Sequence, residues 1–488
     1  MPLVERVLDR TECTSLADHR DRGGGAGLDA ARRVQPSVVI DLLVDAGLRG
    51  RGGAGFPTGV KWATIAATAT DRPPSVVVNA AEGEPSTFKD RQLIRTNPYK
   101  VLEGALIAAH AVGARRVVVA IKSSFQRERA RLSEAVAALD AAGWTADVEV
   151  EVVAGPTEYL FGEETALLEV VSGRGPFPRV APPYRRGVEE PSPDLANAAS
   201  TTELVGDGPG ANPAALVDNV ETLANVPAIV AHGAEWFRSL GTGESPGTIV
   251  CTMTGACAVH AVGEVPMGTP LREAIDLIGA GPRRGRVVGA LSGVANAIVP
   301  EELLDTPLTY ESMAAIGSGL GAAGFLVLDE RTDVLSVAAG AARFLAVESC
   351  GQCEPCKRDG LAIAGRLASL DEPGPEDDVD DLADRLATVT DGARCALASQ
   401  QQAVVASMLA RFPDALTPRP GEPRGVPLDV LPIVDIVDGR AVLDTGHLAK
   451  QPDWTYDERD SGTAPVDLRG AGQETTAPPS SAMTSPTT

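Results

Sequence analysis

Four of the seven cysteines in the chain fall close together, and thiolates at such spacing bind metal. Cys350-Gly-Gln-Cys353-Glu-Pro-Cys356 is a CxxCxxC run, and a fourth thiol, Cys395, follows after an intervening stretch. Four thiolates are what a cubane [4Fe–4S] cluster needs, one per iron, and a tight loop can supply three corners. Structural zinc is the other chemistry that four cysteines admit. Zinc sites usually come as two separated CxxC knuckles, so three cysteines in one loop lean toward iron–sulfur. Lys357 and Arg358 flank the loop and could offset cluster charge, or simply start a solvated helix. Cys13, Cys251 and Cys257 are scattered and read as small buried residues.

A second constellation lies near the start of the chain. Gly50-Arg51-Gly52-Gly53-Ala54-Gly55-Phe56 is a glycine loop in which backbone N–H groups can approach an anion or a planar ring. Arg49, Arg51 and Lys61 place positive charge around it, and Phe56 is placed to stack on a base. The loop is not a GxGxxG fingerprint, because it follows a helical pattern and precedes the first clear strand. Two acidic segments follow strands directly. One runs from Asn79 through Glu82 and Glu84 to Asp90; the other is Tyr159-Leu-Phe-Gly162-Glu163-Glu164. Carboxylates near a ribose accept from its hydroxyls and repel a 2′-phosphate, which favours NADH over NADPH. Capping of the following helix accounts for one of Glu163 and Glu164 at best.

These residues need elements to hold them. Helical spacing over 38–48 ends at Gly50, and short β-branched runs at 74–79, 116–121 and 148–154 alternate with helical stretches at 98–112 and 127–142. That alternation predicts a parallel α/β sheet with crossover helices, whose ligands sit beyond the carboxyl ends of the strands. From 247 the pattern becomes a small α+β unit, and from 333 it turns helical. The expected division is a flexible arm at 1–35, an α/β domain at 36–246, a smaller domain at 247–330, a cluster-bearing helical bundle at 331–415 and a Pro-rich, largely disordered tail at 416–488.

Composition sets the outer limits. With 66 acidic against 43 basic residues the formal net charge is −23, which argues against a nucleic-acid binder. A hydrophobic fraction of 44% is ordinary for a globular chain, and no apolar run is long enough to span a membrane. The first residues lack the pattern of a signal peptide, so the expected location is cytoplasmic.

Taken together the motifs resemble the NADH-binding flavoprotein (51 kDa, or F) subunit of respiratory complex I and its relatives, the diaphorase subunits of NAD-linked formate dehydrogenases and hydrogenases. The resemblance rests on 47–62, Glu84-Pro-Ser-Thr-Phe-Lys-Asp-Arg91, Gly162-Glu-Glu-Thr-Ala-Leu-Leu-Glu169, Asp218-Asn-Val-Glu-Thr-Leu-Ala-Asn-Val226, 300–307 and the cysteine motif. It implies an FMN- and NADH-binding α/β domain, a ubiquitin-like β-grasp (SLBB) domain and a helical domain carrying one [4Fe–4S] cluster. The implied activity is NADH:acceptor oxidoreduction, with electrons leaving to a thioredoxin-like [2Fe–2S] protein or another acceptor protein, peripheral to a membrane at most.

Carried onto this chain, the resemblance implies that Gly50 to Gly55 line the flavin and nucleotide, with Phe56 stacking on adenine and Lys61 near the cofactors. Asn79, Tyr159, Gly162, Glu163, Asp218, Asn219 and Thr222 would lie at FMN. Glu82, Glu84 and Glu164 would surround nicotinamide and ribose, and Tyr184 would be a second stacking aromatic. The chain departs from the family pattern at Thr64, Ala81 and Asp218, and in a longer segment at about 188–213. A non-catalytic relay that keeps the cluster but has lost tight flavin binding is therefore the alternative reading.

Overall fold

The computed structural model describes residues 3–67, 73–179, 202–203, 214–370, 377–416 and 425–450. Five strands make the first sheet: β1 (Ser75–Ala80), β2 (Arg116–Lys122), β3 (Glu149–Gly155), β4 (Thr202–Glu203) and β5 (Ala214–Asn219), in the order β3-β2-β1-β5-β4. β1, β2, β3 and β5 run parallel, and β4 pairs antiparallel at the edge. The Val-Val-Val centres of β1 and β2 are wholly buried, as expected for strands covered on both faces. The chain winds outward from β1 in both directions, so the sheet switches direction between β1 and β5. Register sets Asn79 directly beside Asn219 at the carboxyl ends of those two strands.

Helix Pro98–Val112 begins with Pro at its first turn, capped by the Asn97 side chain, which accepts from Lys100 N–H. It crosses helix Val220–His232 so closely that a Cβ on Gly104 would lie 2.0 Å from the Leu223 carbonyl oxygen. That carbonyl has no helical donor to lose, because Pro227 stands four residues on and lacks an N–H.

The second sheet is mixed, in the order β7-β6-β10-β8-β9: β6 (Thr248–Gly255), β7 (Ala261–Pro266), β8 (Val287–Ser292), β9 (Val299–Pro300) and β10 (Gly324–Asp329). A hairpin of β6 and β7, helix Leu271–Gly279, and a last strand β10 returning parallel to β6 make the β-grasp arrangement. Helices Val334–Glu348, Glu354–Ser369, Asp377–Thr388 and Leu397–Arg411 form the bundle.

Two expectations about the ends of the chain need correction. Residues 1–35 are not a loose arm among the described positions. Helices Leu16–Asp21 and Ala26–Ala31 dock on helix Pro98–Val112, and Val7, Cys13, Leu28 and Ala31 are buried. The buried Glu103 carboxylate accepts from Gly25 N–H, Leu28 N–H and His19 Nε2, so the glycine run is a packed turn. Of the expected tail, 425–450 is ordered, and 451–488 lies outside the described residues. β11 (Ile433–Val437) and β12 (Arg440–Leu443) form a hairpin whose turn, Asp438-Gly439, takes φ of 48° and 70°. Asp-Gly between two alternating runs is a strong hairpin signal that the surrounding prolines obscure. The segment ties all three units together. Arg91 donates to Val434 O at 3.2 Å, the His260 ring nitrogen Nδ1 accepts from Ala441 N–H at 2.9 Å, and Arg343 donates to His447 O at 3.2 Å.

Candidate functional site

A cavity of about 230 Å³ opens at the switch point, beyond the carboxyl ends of β1 and β5. Asn79, Glu82, Glu84, Tyr159, Gly162, Glu163, Asn219 and Gly52 all line it. The floor is built by hydrogen bonds. Asn79 Nδ2 donates to Gly162 O at 2.8 Å, and Asn219 Nδ2 donates to Asp90 Oδ2 at 2.7 Å. Beneath Asn219, buried Lys89 bridges Asp90 and Glu221 at 2.7 and 2.8 Å. Burial works against the charge of Lys89, but these two carboxylates outweigh it and raise its pKa, so the ammonium stays charged.

The glycines keep the cavity open and shallow. A Cβ on Gly52 would lie 3.1 Å from Asn219 Cβ, and one on Gly162 would lie 3.3 Å from Ala81 O. The glycine loop is clamped from the β-grasp unit by Tyr310. Its hydroxyl donates to Gly50 O at 2.7 Å, and a Cβ on Gly55 would stand 2.5 Å from its ring. Such a cradle of glycines and carboxamides fits a flat, polar-edged ring system.

Other members of the expected set serve the walls rather than the void. Arg51 is buried, donating its N–H to Thr222 Oγ1 at 2.8 Å and its guanidinium to Pro246 O at 3.1 Å. Lys61 donates to Glu164 at 2.9 Å and to Val217 O at 2.7 Å. Asp218 turns from the cavity to accept from Trp62 Nε1 at 2.7 Å, and burial pushes its carboxyl up to about 6. Glu163 caps helix Glu164–Val171, accepting from Thr165 and Ala166 N–H. Gly50, Gly53, Ala54, Gly55, Phe56, Lys61, Glu164, Asp218 and Thr222 do not line the cavity, and Tyr184 lies outside the described residues.

The carboxylates Glu82 and Glu84 face both this cavity and a larger one of about 580 Å³ beyond β2 and β3, roofed by the C-terminal hairpin. Glu82 accepts from Asp90 and Arg91 N–H, at 3.1 and 3.2 Å. Burial pushes Glu84 up to about 7, with the Glu82 charge adding to the effect.

The four cysteines of the motif border one further void, together with Leu160, Pro178 and Leu397. Among the described residues no group of three or more His, Cys, Asp or Glu converges tightly enough to hold a single metal ion. Burial pushes the Cys350 thiol up to about 11 and that of Cys395 to about 12, so ionised sulfurs here need a cationic centre beside them. Four thiols around a shared apolar void fit a polynuclear iron–sulfur centre. Leu160, Cys395 and Leu397 belong to both this void and the switch-point cavity.

Sequence reasoning gave no role to Thr87 or Asp90 and did not single out Ala396, Leu397 and Gln400, all of which also line the switch-point cavity. Thr87 and Asp90 stand inside the quoted 84–91 motif, and the other three follow Cys395 within five residues. Tyr310 carried no local signal.

Fold and site define a class: a flavin and iron–sulfur electron-transfer protein built on a parallel α/β sheet. Two family models match, the Nuo51 FMN-binding domain over residues 43–228 and the NADH-ubiquinone oxidoreductase-F iron–sulfur binding region over residues 336–419. The F subunit of the NADH-quinone oxidoreductase of Mycobacterium tuberculosis (strain ATCC 25618 / H37Rv) is 35% identical, covering 85% of this chain and 92% of its own. The F 2 subunit of the NADH-quinone oxidoreductase of Rhizobium meliloti (strain 1021) is 35% identical over 74% of this chain and 83% of its own. A crystal structure of an NAD+-reducing [NiFe]-hydrogenase in the H2-reduced state superposes with a TM-score of 0.70 at 31% identity, over 83% of this chain and 66% of that one. The chain belongs to the family of NADH-quinone oxidoreductase F subunits. Its cofactor set is FMN, a [4Fe–4S] cluster and NADH, and it is one subunit of an NADH-oxidising oxidoreductase. Among the described residues no helix is long and apolar enough to cross a membrane.

Proposed function

We propose that this chain, by itself, takes reducing equivalents from NADH at the switch-point cavity and releases them through the four-cysteine site to a partner redox protein. The observation that carries the reading is the shared wall: Cys395 borders both the switch-point cavity and the cysteine-lined void. FMN, when bound, accepts a hydride from nicotinamide and gives up its electrons one at a time, which a one-electron cluster can relay.

The chain's own residues supply placement. Asn79 and Asn219, side by side in register, present carboxamides to the polar edge of the flavin. Gly52, Gly83 and Gly162 allow close approach of a ring to backbone. Glu82 and Glu84 accept hydrogen bonds from the nucleotide and disfavour a second negative group beside them. Glu164 acts through Lys61, which it holds by an ion pair. Tyr159 stands between the cavities, its hydroxyl donating to Gln400 Oε1 at 3.3 Å and its ring packed edge-on to Phe344. Phe56 and Tyr184 are proposed to bracket the adenine. The partner proposed to receive the electrons is a thioredoxin-like [2Fe–2S] protein or another acceptor protein, with the assembly cytoplasmic and peripheral to any membrane.

Visible spectra of the anaerobically purified chain test this directly. Flavin bands that bleach on adding NADH, with ferricyanide reduced faster by NADH than by NADPH, support it. Iron–sulfur absorbance without flavin would sink it in favour of a relay that has lost FMN.

A further inference from the structure

The cysteine motif contains a residue whose side chain does more than fill a loop. Gln352 lies between Cys350 and Cys353, and its Nε2 donates to Cys350 Sγ at 3.4 Å. Its other end is held from the loop of the fourth ligand, where Arg394 Nη1 donates to Gln352 Oε1 at 2.9 Å. Arg394 immediately precedes Cys395, so the Arg394–Gln352 pair spans the void from one cysteine loop to the other. The orientation of the amide is dictated by its neighbours. A guanidinium has only donors, so the Gln352 oxygen must face Arg394 and the NH2 group must face the sulfur.

We propose that Gln352, anchored by Arg394, is a positioning residue that raises the reduction potential of the cluster by hydrogen-bonding to the Cys350 sulfur and fastens the Cys395 loop to the CxxCxxC loop. This deepens the electron-relay reading and rests on it. The physical case has three parts. Adding an electron makes the sulfur ligands more electron-rich, so an N–H donor favours the reduced state and moves the potential upward. Arg394 polarises the amide along the chain of hydrogen bonds, making its N–H a stronger donor than a solvated glutamine would offer. Two of the other motif sulfurs are served by different groups. Cys395 accepts from the Leu397 backbone N–H, and Cys356 contacts Ser349 Oγ at 3.4 Å. Gln352 is therefore a side-chain contribution to Cys350 that substitution can remove without touching a ligand.

The test is a potentiometric titration of the anaerobically purified full-length chain, followed by electron paramagnetic resonance of the reduced cluster, with iron content measured in parallel. Gln352→Leu should retain iron and shift the midpoint to a more negative potential. Gln352→Glu keeps the shape and the Arg394 contact but presents no N–H, and its midpoint should fall further. Arg394→Met should also fall, and the double variant Gln352→Leu/Arg394→Met should shift by less than the sum of the two, because both act through one hydrogen bond. Where Gln352→Leu takes up no iron, Gln352→Glu carries the test alone. Iron-loaded Gln352 variants at the wild-type midpoint, or strictly additive shifts, overturn the strut. A wild-type chain that holds no iron–sulfur cluster defeats the relay reading and the strut with it, so the two failures are distinguishable.

Discussion

Glu84 offers a prediction whose size follows from its surroundings. It lies half-buried between the two cavities, accepting from Val294 N–H at 3.0 Å, and loss of solvation there lifts its carboxyl from an ordinary 4.5 to about 7. Unfolded chain releases this proton near 4.5, whereas folded chain keeps it until about 7. Between those values the native state binds more protons, so stability falls as pH rises, and the loss is complete above about 7. At about 1.4 kcal/mol per pH unit, the full penalty is roughly 3 kcal/mol. Glu84→Gln is neutral at every pH and removes it. The variant's advantage over wild type should then grow by about 2 kcal/mol between pH 5.5 and 8.5, equivalent to an unfolding midpoint gain of about 4–8 °C in a domain of this size. Thermal unfolding of both proteins across that range measures it. A pH-independent difference, or an advantage that shrinks as pH rises, would refute the burial argument.

Gly52→Val should abolish stoichiometric flavin while leaving the circular dichroism spectrum intact, because its Cβ starts 3.1 Å from Asn219 Cβ and its methyls must enter the cavity; flavin absorbance per chain reads it. Glu348 accepts from Tyr159 N–H, His447 Nε2 and Lys450 Nζ, each at 2.9 Å. Although burial opposes it, Lys450 and His447 hold this carboxyl well below the usual range, so the latch is present above the ordinary carboxylate pKa and is lost on acidification. Glu348→Gln replaces the charged acceptor of the Lys450 ammonium with a neutral amide at a cost of about 3 kcal/mol, and hydrogen exchange over Ile433–Val437 should accelerate on the order of 100-fold at pH 7.

What the sequence made legible was local, and what it hid was long-range. The Val-Val-Val strands, the proline-started helix at 98 and the cysteine spacing are each decided within a few residues, and the structure has them where pattern places them. The register that sets Asn79 beside Asn219 joins strands separated by most of the α/β domain, and no periodicity encodes it. The same holds for Glu103, which caps a helix in the N-terminal segment from 75 positions further along the chain. The glycine loop shows the limit most clearly. Its residue types point to a cofactor cradle, and of its glycines Gly52 lines the switch-point cavity. Arg51, whose charge suggested phosphate, is folded inward against Pro246 and Tyr310. A cation in a loop and a cation in an interdomain joint look alike until the partner carbonyl is known.

The distribution of walls explains why three units share one chain. The sheet supplies Asn79 and Asn219, the β-grasp unit supplies Ala322 to the cavity and Tyr310 to the loop above it, and the bundle supplies Cys395 through Gln400. Each contribution is small, and none encloses a flavin alone. The bundle's part is the most consequential, because the segment that closes the cavity also carries Cys395, the fourth cysteine of the motif. The C-terminal hairpin extends the same logic to the second cavity, gripping Arg91 in the sheet unit, His260 in the β-grasp unit and Glu348 at the mouth of the cysteine loop. Covalent continuity keeps these walls at high effective concentration with respect to one another. Separate chains would have to recover that advantage through large interfaces, which the short segments lining the cavity could not provide.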